Sequence, residues 1–370
     1  MTEAETQALQ PTLRDYERKA YDLLSPDRAA YFFGGAADER TLDANQSAFS
    51  DIELLPRMLR DVRGGSTRTT LLDQTMAHPI ILAPVAYQKL VHPEGEAAMA
   101  LGAAAQDTVM TLSAQSSVDA GAARTAGPSC TWFQLYWTAQ REAVMALVQR
   151  MADLGFTAIV LTVDAPVQGV RDRETRTGFG LPADISAVNL AGMPMPRFAP
   201  LEPGESILFD RIAHVSPRWA DVEWLCQNSP LPVILKGIVH PDDARQAIEA
   251  GASGIIVSNH GGRILDTVPA TITLLPAIVK ASDGAVPVLM DGGVRRGTDV
   301  LKALALGASA VLVGRLAIAG LTVAGSAGVS HVLRLLRDEL EVAMMLTGCR
   351  SVADTTPDIL RRQTVSDAKD

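Results

Sequence analysis

The stretch Gly254-Ile255-Ile256-Val257-Ser258-Asn259-His260-Gly261-Gly262-Arg263 decides the fold class and gives the first hypothesis about function. Its first four residues are an uninterrupted apolar run, which predicts a buried parallel strand. The polar residues that follow then lie at the carboxyl end of the strand, where an α/β barrel carries its reactive groups. Histidine takes up a proton near neutral pH and arginine binds a carboxylate through two hydrogen bonds, so His260 and Arg263 indicate an enzyme acting on a small carboxylic acid. A single histidine after a strand is more often structural, and the hypothesis therefore depends on the other strand ends.

Seven further apolar runs repeat this pattern along the chain. Alanine-rich stretches separate most of them, and several end in small residues that suit a helix C-cap. A strand–helix unit repeated eight times predicts a (β/α)8 TIM barrel, preceded by a helical segment over residues 12–50 that is broken near Ser25-Pro26 and at Gly34-Gly35. The predicted strands are 80–83, 109–112, 132–136, 158–163, 233–236, 254–257, 286–290 and 310–313, and the clearest helices are 94–105, 141–154, 241–250 and 298–306.

One connection is much longer than the others. Residues 178–227 lie between the fourth and fifth predicted strands, and residues 183–203 within them are rich in proline, alanine and methionine. Because long loops in compact domains are usually functional, we interpret 178–227 as a lid over the barrel mouth, with a membrane-inserting patch as the alternative. We expect residues 1–370 to form a single domain, since barrels of this kind often exceed 250 residues.

Charge and composition argue against several classes of function. The chain of 370 residues has a formal net charge of −9 and a pI of about 5.2, which argues against binding to nucleic acid or to an anionic membrane surface. Residues 1–10 lack the basic and apolar regions of a signal peptide, and the longest apolar run, 310–325, is too short to span a bilayer. The cysteines form no C-x-x-C pair, so we expect neither disulfides nor a metal site, and a cytoplasmic location; they are Cys130, Cys226 and Cys349.

Polar or conformationally special residues follow all eight predicted strands. The last two strands end in Asp291-Gly292-Gly293, with Arg295, and in Gly314-Arg315, at the place where barrels often bind phosphate. A plain turn is the alternative for Asp-Gly-Gly alone. Lys236 ends the fifth strand and could stabilise an anionic reduced ring, form a Schiff base or make a structural ion pair. The other strand ends carry Pro84, Val85, Ala86, Ser113, Gln134, Tyr136, Thr162, Asp164 with the nearby Arg171, and Ser258.

These motifs resemble the FMN-dependent 2-hydroxy acid oxidases and dehydrogenases, a family that includes glycolate oxidase, lactate oxidase and mandelate dehydrogenase. The resemblance extends from about residue 16 to about residue 351 and does not depend on one motif. It is carried by Tyr31 ahead of Gly35-Ala36, His92-Pro93-Glu94-Gly95-Glu96, Phe133-Gln134-Leu135-Tyr136, Leu161-Thr162-Val163-Asp164, Lys236-Gly237, Ser258 to Arg263, Asp291 to Arg296 and Leu304-Ala305-Leu306-Gly307-Ala308.

The resemblance implies a role for each of these residues. His260 would be the active-site base, and Asp164 would orient its ring and stabilise its cation. Two arginines would bind the substrate carboxylate and two tyrosines would hydrogen-bond to the substrate, namely Arg171, Arg263, Tyr31 and Tyr136. FMN, the implied cofactor, would contact Pro84, Val85, Ala86, Ser113, Gln134, Thr162, Lys236, Ser258, Asp291 and Gly292, and its phosphate would contact Gly293, Arg295, Gly314 and Arg315.

The implied reaction is oxidation of an (S)-2-hydroxy acid to the 2-oxo acid, with O2 reduced to H2O2. Residues 113–117 form a shortened loop without the aromatic residue that relatives often carry, and Tyr87 stands where many relatives have methionine. Both departures look most like the hydroxymandelate oxidase branch and leave room for a larger side chain, so we expect a mandelate- or lactate-like substrate. Ala86, in place of glycine, favours O2 as the electron acceptor.

Three alternative functions remain beside the one that the resemblance implies, and the resemblance also implies an oligomeric state. A membrane- or quinone-linked 2-hydroxy acid dehydrogenase would share the site. Another FMN barrel, such as a type 2 isopentenyl diphosphate isomerase, would share the phosphate end but would give no reason for Tyr31, Arg171 and Arg263 together. A non-enzymatic barrel would give no reason for His260 and Asp164. The resemblance also implies a homotetramer or octamer.

Overall fold

The computed structural model describes residues 8–138, 140–194 and 196–362. The described helices and strands, in chain order, are α1 Leu13–Leu23, α2 Pro26–Phe33, α3 Arg40–Ser47, β1 Ile52–Leu54, β2 Thr69–Leu71, β3 Gln74–Met76, β4 Ile80–Leu82, α4 Gly95–Ala104, β5 Met110–Ser113, α5 Ala120–Ala126, β6 Cys130–Tyr136, α6 Arg141–Asp153, β7 Ala158–Thr162, α7 Asp172–Thr177, α8 Ala213–Val215, α9 Trp219–Asn228, β8 Val233–Ile238, α10 Pro241–Glu249, β9 Gly254–Val257, α11 Thr271–Ser282, β10 Val288–Asp291, α12 Gly297–Ala305, β11 Ala310–Val313, α13 Arg315–Thr347 and β12 Leu360–Arg362.

Strands β4 to β11 close into the predicted barrel. Each strand pairs in parallel with its neighbours in chain order, and β11 pairs with β4 to complete the circle. The strand predicted at residues 254–257 is confirmed with the same bounds, since β9 covers 254–257. The (β/α)8 TIM-barrel prediction is therefore confirmed.

The inward-facing side chains change from apolar to polar along each strand. Trp132, Val160 and Ile234 belong to the cluster that fills the barrel interior. Because side chains alternate with a period of two, the next inward positions on these strands are Gln134, Thr162 and Lys236. The sequence thus builds an apolar floor and a polar upper layer from the same strands.

A short antiparallel hairpin, β2–β3, closes the opposite end of the barrel. Its Leu71 and Met76 join the interior cluster. Gln74 Oε1 accepts a hydrogen bond of 3.0 Å from Trp132 Nε1, near the start of β6. Solvent is therefore excluded from the amino-terminal end, and only the carboxyl-terminal end stays open.

The N-terminal helices lie against the open end of the barrel. As predicted, α1 and α2 separate at Ser25-Pro26, with Pro26 at the first position of α2, and α2 ends before Gly34. Arg315 donates to the backbone oxygens of Phe32, at 3.3 Å, and Gly34, at 2.9 Å. These bonds place Tyr31, on α2, at the barrel mouth.

The long segment 178–227 divides into two parts. Phe179, Leu181 and Leu190 line the cavity at the barrel mouth, as the lid hypothesis expects. Residues 219–228 instead form α9, a barrel helix whose Val222 and Leu225 are buried. The lid boundary at 227 thus lies too far along the chain, because an amphipathic helix after a proline-rich loop cannot be assigned to lid or barrel without its packing partner.

Helix α13 is the one described helix that is long and apolar enough to cross a membrane. Within the most apolar stretch of this helix, 67% is buried inside the protein, as in the core helix of a globular fold. It packs on α1, α4 and α12, and it kinks at Ala324-Gly325, where the backbone φ of Gly325 is 55°.

Candidate active site

A cavity of roughly 740 Å³ opens at the carboxyl ends of the barrel strands. The predicted site residues come from all eight of these strand ends, from α2 and from the loop before α7, and nearly all of them line this one cavity. The two exceptions, Asp164 and Ser258, lie directly behind cavity residues and hydrogen-bond to them. The fold therefore brings the whole predicted set together.

His260 and Asp164 form a largely buried pair at the cavity. His260 Nδ1 lies 2.9 Å from Asp164 Oδ1. A carboxylate at Nδ1 favours a proton on that nitrogen and leaves Nε2 free to accept one. Burial lowers the pKa of His260, the Lys236 cation lowers it further, and Asp164 opposes both. The imidazole is therefore neutral at neutral pH, as a base requires.

Asp164 stays ionised beside this imidazole. Burial opposes its ionisation, but the attraction of His260, the hydrogen bond to it and the Lys236 cation together lower the carboxyl pKa. When His260 takes up a proton, the negative carboxylate already lies against the ring that becomes positive. The pair can thus hold a proton removed from a bound molecule.

The loop that carries His260 depends on three left-handed residues in a row. The φ values of His260, Gly261 and Gly262 are 57°, 63° and 74°. A Cβ on Gly262 would lie 2.6 Å from the backbone nitrogen of Leu42, so α3 packs directly on this turn. The reciprocal amide bonds between Asn45 and Asn259, each 2.9 Å, fix α3 to the same loop. Sequence reasoning missed Asn45, because it lies far from the loop in the chain.

Two arginines, Arg171 and Arg263, line the same cavity as His260. Arg171 and Arg263 are both nearly buried, and the guanidinium carbon of Arg263 lies 5.3 Å from the centre of the Tyr31 ring. Glu174, which sequence reasoning also missed, contacts both arginines. Its position three residues after Arg171, at the start of α7, is the signal that could have indicated it.

Tyr31 and Tyr136 supply two neutral hydroxyl donors to the cavity. Burial raises the pKa of Tyr31 to about 12. Burial also raises the pKa of Tyr136. Phe179, from the long segment 178–227, stacks on Tyr31 with the ring centres 4.5 Å apart. Both hydroxyls therefore stay protonated and can donate to an anionic or carbonyl oxygen.

Lys236 is a buried cation on the cavity floor. Its Nζ lies 3.1 Å from Asp291 Oδ2 and 2.9 Å from Ser258 Oγ. Burial opposes its charge, but Asp291 and Asp164 outweigh that effect and raise its pKa. A Schiff base needs a neutral amine, so of the three alternatives for Lys236 the geometry favours the ion pair and the stabilising charge.

Arg315 provides an unneutralised cation at the end of β11. Burial lowers its pKa to about 9, and Arg263 and Arg295 lower it as well. Its described partners are backbone carbonyls, and it forms no ion pair within the described residues. Gly314 caps α13, whose free N–H groups also favour an anion. This end of the cavity is built to receive a negative group.

The Asp291-Gly292-Gly293 turn needs its glycines. Gly292 and Gly293 have φ values of 98° and 82°, and a Cβ on Gly293 would lie 1.7 Å from the backbone oxygen of Asn45. Arg295, beyond the turn, lies 2.7 Å from Glu17 of α1. The segment is therefore both a tight turn that only glycine fits and a wall of the anion end, and the two interpretations of Asp-Gly-Gly are compatible.

The cavity fits FMN by the chemistry of its donors. The amide Nε2 of Gln134 is buried and has no hydrogen-bond partner in the described residues, so it awaits an acceptor such as a ring carbonyl. Arg315 awaits an anion such as a phosphate. Between these two groups the wall is formed by Ala83, Pro84, Val85 and Ala86, which suits a flat apolar ring. The group would be held by the residues predicted to contact it.

Comparisons with known proteins agree with this arrangement. Residues 20–362 match the family described as FMN-dependent dehydrogenase. The chain is 53% identical over 349 residues to an L-lactate oxidase of Roseobacter sp. (strain GAI101), with 94% of each protein covered. It is 44% identical to a glycolate oxidase of Spinacia oleracea, over 92% of this chain and 93% of the relative. A solved structure of mandelate oxidase with benzoyl-formic acid superimposes with a TM-score of 0.85 at 42% identity, over 95% of this chain and 98% of that one. With matches of this extent on the whole barrel, the chain belongs to the FMN-dependent dehydrogenase family, and its cofactor is FMN.

Proposed function

We propose that this protein oxidises an (S)-2-hydroxy acid to the 2-oxo acid and passes the electrons to O2, which is reduced to H2O2. The observation that carries the proposal is that a neutral, carboxylate-backed histidine and two arginines line one cavity. The relatives support it, since those compared above are named oxidases of lactate, glycolate and mandelate.

Each step has a residue in place for it. Arg171 and Arg263 bind the carboxylate of the acid, and the hydroxyls of Tyr31 and Tyr136 orient its oxygens. His260 removes a proton at Nε2, and Asp164 stabilises the resulting imidazolium. FMN, when bound, accepts the two electrons, and the Lys236 cation on the cavity floor favours the added negative charge.

The walls of the cavity favour an acid with an apolar side chain. The apolar part of its lining includes Tyr87, Trp137, Val167, Leu181 and Leu190. The identity of 53% to an L-lactate oxidase exceeds that to the mandelate oxidase, so the comparisons do not single out the predicted hydroxymandelate branch. We therefore keep lactate-like and mandelate-like acids as the two candidates.

The alternatives are less well supported. A quinone-linked dehydrogenase would share the residues of the site, but the named relatives are oxidases. An isopentenyl diphosphate isomerase would not require the paired arginines beside the tyrosines.

We also propose a homotetramer or octamer by analogy with the family, which light scattering on the purified protein would test. The free thiols Cys226 and Cys349 support a cytoplasmic location.

The test is the flavin spectrum of the purified protein, mixed without oxygen with (S)-lactate or (S)-mandelate and then exposed to air. We expect one acid to bleach the flavin and air to restore the colour rapidly. Bleaching without recovery in air would assign a dehydrogenase with its own acceptor. If neither acid bleaches the flavin, the proposed function is wrong.

A further inference from the structure

A single carboxylate oxygen joins the two arginines of the site. Glu174 Oε1 lies 3.0 Å from Arg171 Nη1 and 3.3 Å from Arg263 Nη2. The Glu174 side chain is only 10% exposed. A buried carboxylate shared between two cations is costly to remove, because each cation then loses a charge-assisted hydrogen bond.

The two arginines reach the cavity from different parts of the chain. Arg171 precedes α7, whereas Arg263 follows the His260 loop, and the Arg171 Nε donates to the Arg263 backbone oxygen at 3.4 Å. The loops pack closely, since a Cβ on Gly169 would lie 2.2 Å from the backbone oxygen of Ile264. Such contact brings two like charges together, and Glu174 is the group that offsets their repulsion.

Arg263 is held at both terminal nitrogens of its guanidinium group. Its Nη1 donates to the backbone oxygens of Tyr31 and Gly34, while its Nη2 points to Glu174. The side-chain partner of Arg171 is also Glu174. Glu174 thus links the guanidinium group of Arg171 to the backbone-anchored guanidinium group of Arg263 before any acid binds.

We propose that Glu174 is a positioning residue that holds Arg171 and Arg263 as one receptor for the substrate carboxylate. The proposal rests on the proposed function, since it assumes that the two arginines bind that carboxylate. Glu174 itself does not touch the reacting carbon; it acts through the arginines.

Two effects of removing the charge oppose each other. A neutral residue at 174 raises the positive charge of the receptor, which by itself would strengthen binding of an anion. It also frees two guanidinium groups to separate, which weakens binding because a carboxylate then has to order them. We expect the second effect to win, since both arginines share the same oxygen and are nearly buried.

The experiment compares Glu174→Gln, Glu174→Asp and the control Asp172→Asn in the FMN-loaded protein. Glu174→Asp keeps the charge but shortens the side chain by one methylene, so it separates geometry from charge. Asp172 is on the same helix, pairs with Arg176 and is exposed. The inert probes pyruvate and benzoylformate are titrated into the oxidised protein, and the shift of the flavin absorbance gives the dissociation constant.

We expect both Glu174 variants to bind the probes about tenfold more weakly than the parent protein does. Their KM should rise by a similar factor, and this rise should exceed the fall in kcat. Asp172→Asn should bind the probes as the parent protein does. Binding by Glu174→Asp equal to that of the parent, or tighter binding by Glu174→Gln, would overturn the proposal. Since the titration needs no turnover, a parent protein that binds the probes but oxidises no 2-hydroxy acid would overturn the proposed function alone.

Discussion

Replacing Asp164 by asparagine tests the central pair of the site. The change is isosteric, which matters because a Cβ on Gly237 would lie 2.5 Å from the Asp164 Cβ and the packing there leaves no room. It removes a carboxylate 2.9 Å from His260 Nδ1 in a buried setting. A charge-assisted hydrogen bond of this kind contributes about 1.5–3 kcal/mol. If that energy is used to stabilise the imidazolium, the rate of flavin reduction falls by about 10- to 150-fold.

The direction in which the pH dependence of kcat/KM changes in Asp164→Asn follows from the charges around His260. Burial and Lys236 lower the pKa of His260, whereas Asp164 raises it. Without the carboxylate the pKa of His260 falls further, so the neutral base persists to lower pH. We therefore expect the acid limb of the kcat/KM profile to move to lower pH in Asp164→Asn, while the plateau itself drops.

The assay is anaerobic stopped-flow reduction of the flavin by the best acid over a range of pH. Asp242→Asn is a matched control, because Asp242 Oδ2 lies 3.6 Å from His240 Nδ1 in an exposed pair outside the site. An Asp164→Asn protein with an unchanged plateau, or with its acid limb moved to higher pH, would refute the reasoning about this pair.

Three further predictions concern the base, the anion end and the strained turn. His260→Ala should leave a folded, yellow protein in which turnover falls by about 10²- to 10⁴-fold, and substantial residual turnover would remove His260 from the role of base. Arg315→Ala should weaken FMN binding by about tenfold or more in a fluorescence titration, because the cation that would face the phosphate is lost, and unchanged affinity would contradict the assignment of Arg315 to the anion end. Gly293→Ala should lower the melting temperature much more than Gly284→Ala. Both glycines have a positive φ, but only a Cβ at 293 would clash with a backbone atom, the oxygen of Asn45. Equal losses would show that the positive φ alone, and not this clash, sets the cost of the substitution.

The barrel could be predicted because its signal is local. The apolar runs and the polar residue that ends each run lie within a few positions of one another, and the period of two along a strand turns that order into an apolar floor and a polar mouth. The hairpin at 69–76 and the short pair β1–β12 were not predicted, since three-residue strands carry too little periodicity. The end of the lid was misplaced for a similar reason, because α9 is recognised as a barrel helix only by what it packs against.

The same distinction between local signals and long-range contacts holds for the active site. The sequence by itself determined the residue types at the strand ends and the glycines of the two turns, and the family resemblance predicts the roles of His260 and Arg263. Only the tertiary structure decided which partner each group has: that Glu174 contacts both arginines, that Asn45 fixes the His260 loop, and that Arg315 forms no ion pair with any residue the structure describes. These are contacts between segments far apart in the chain, and local patterns do not encode them, because they depend on how closed strands and their loops meet in space.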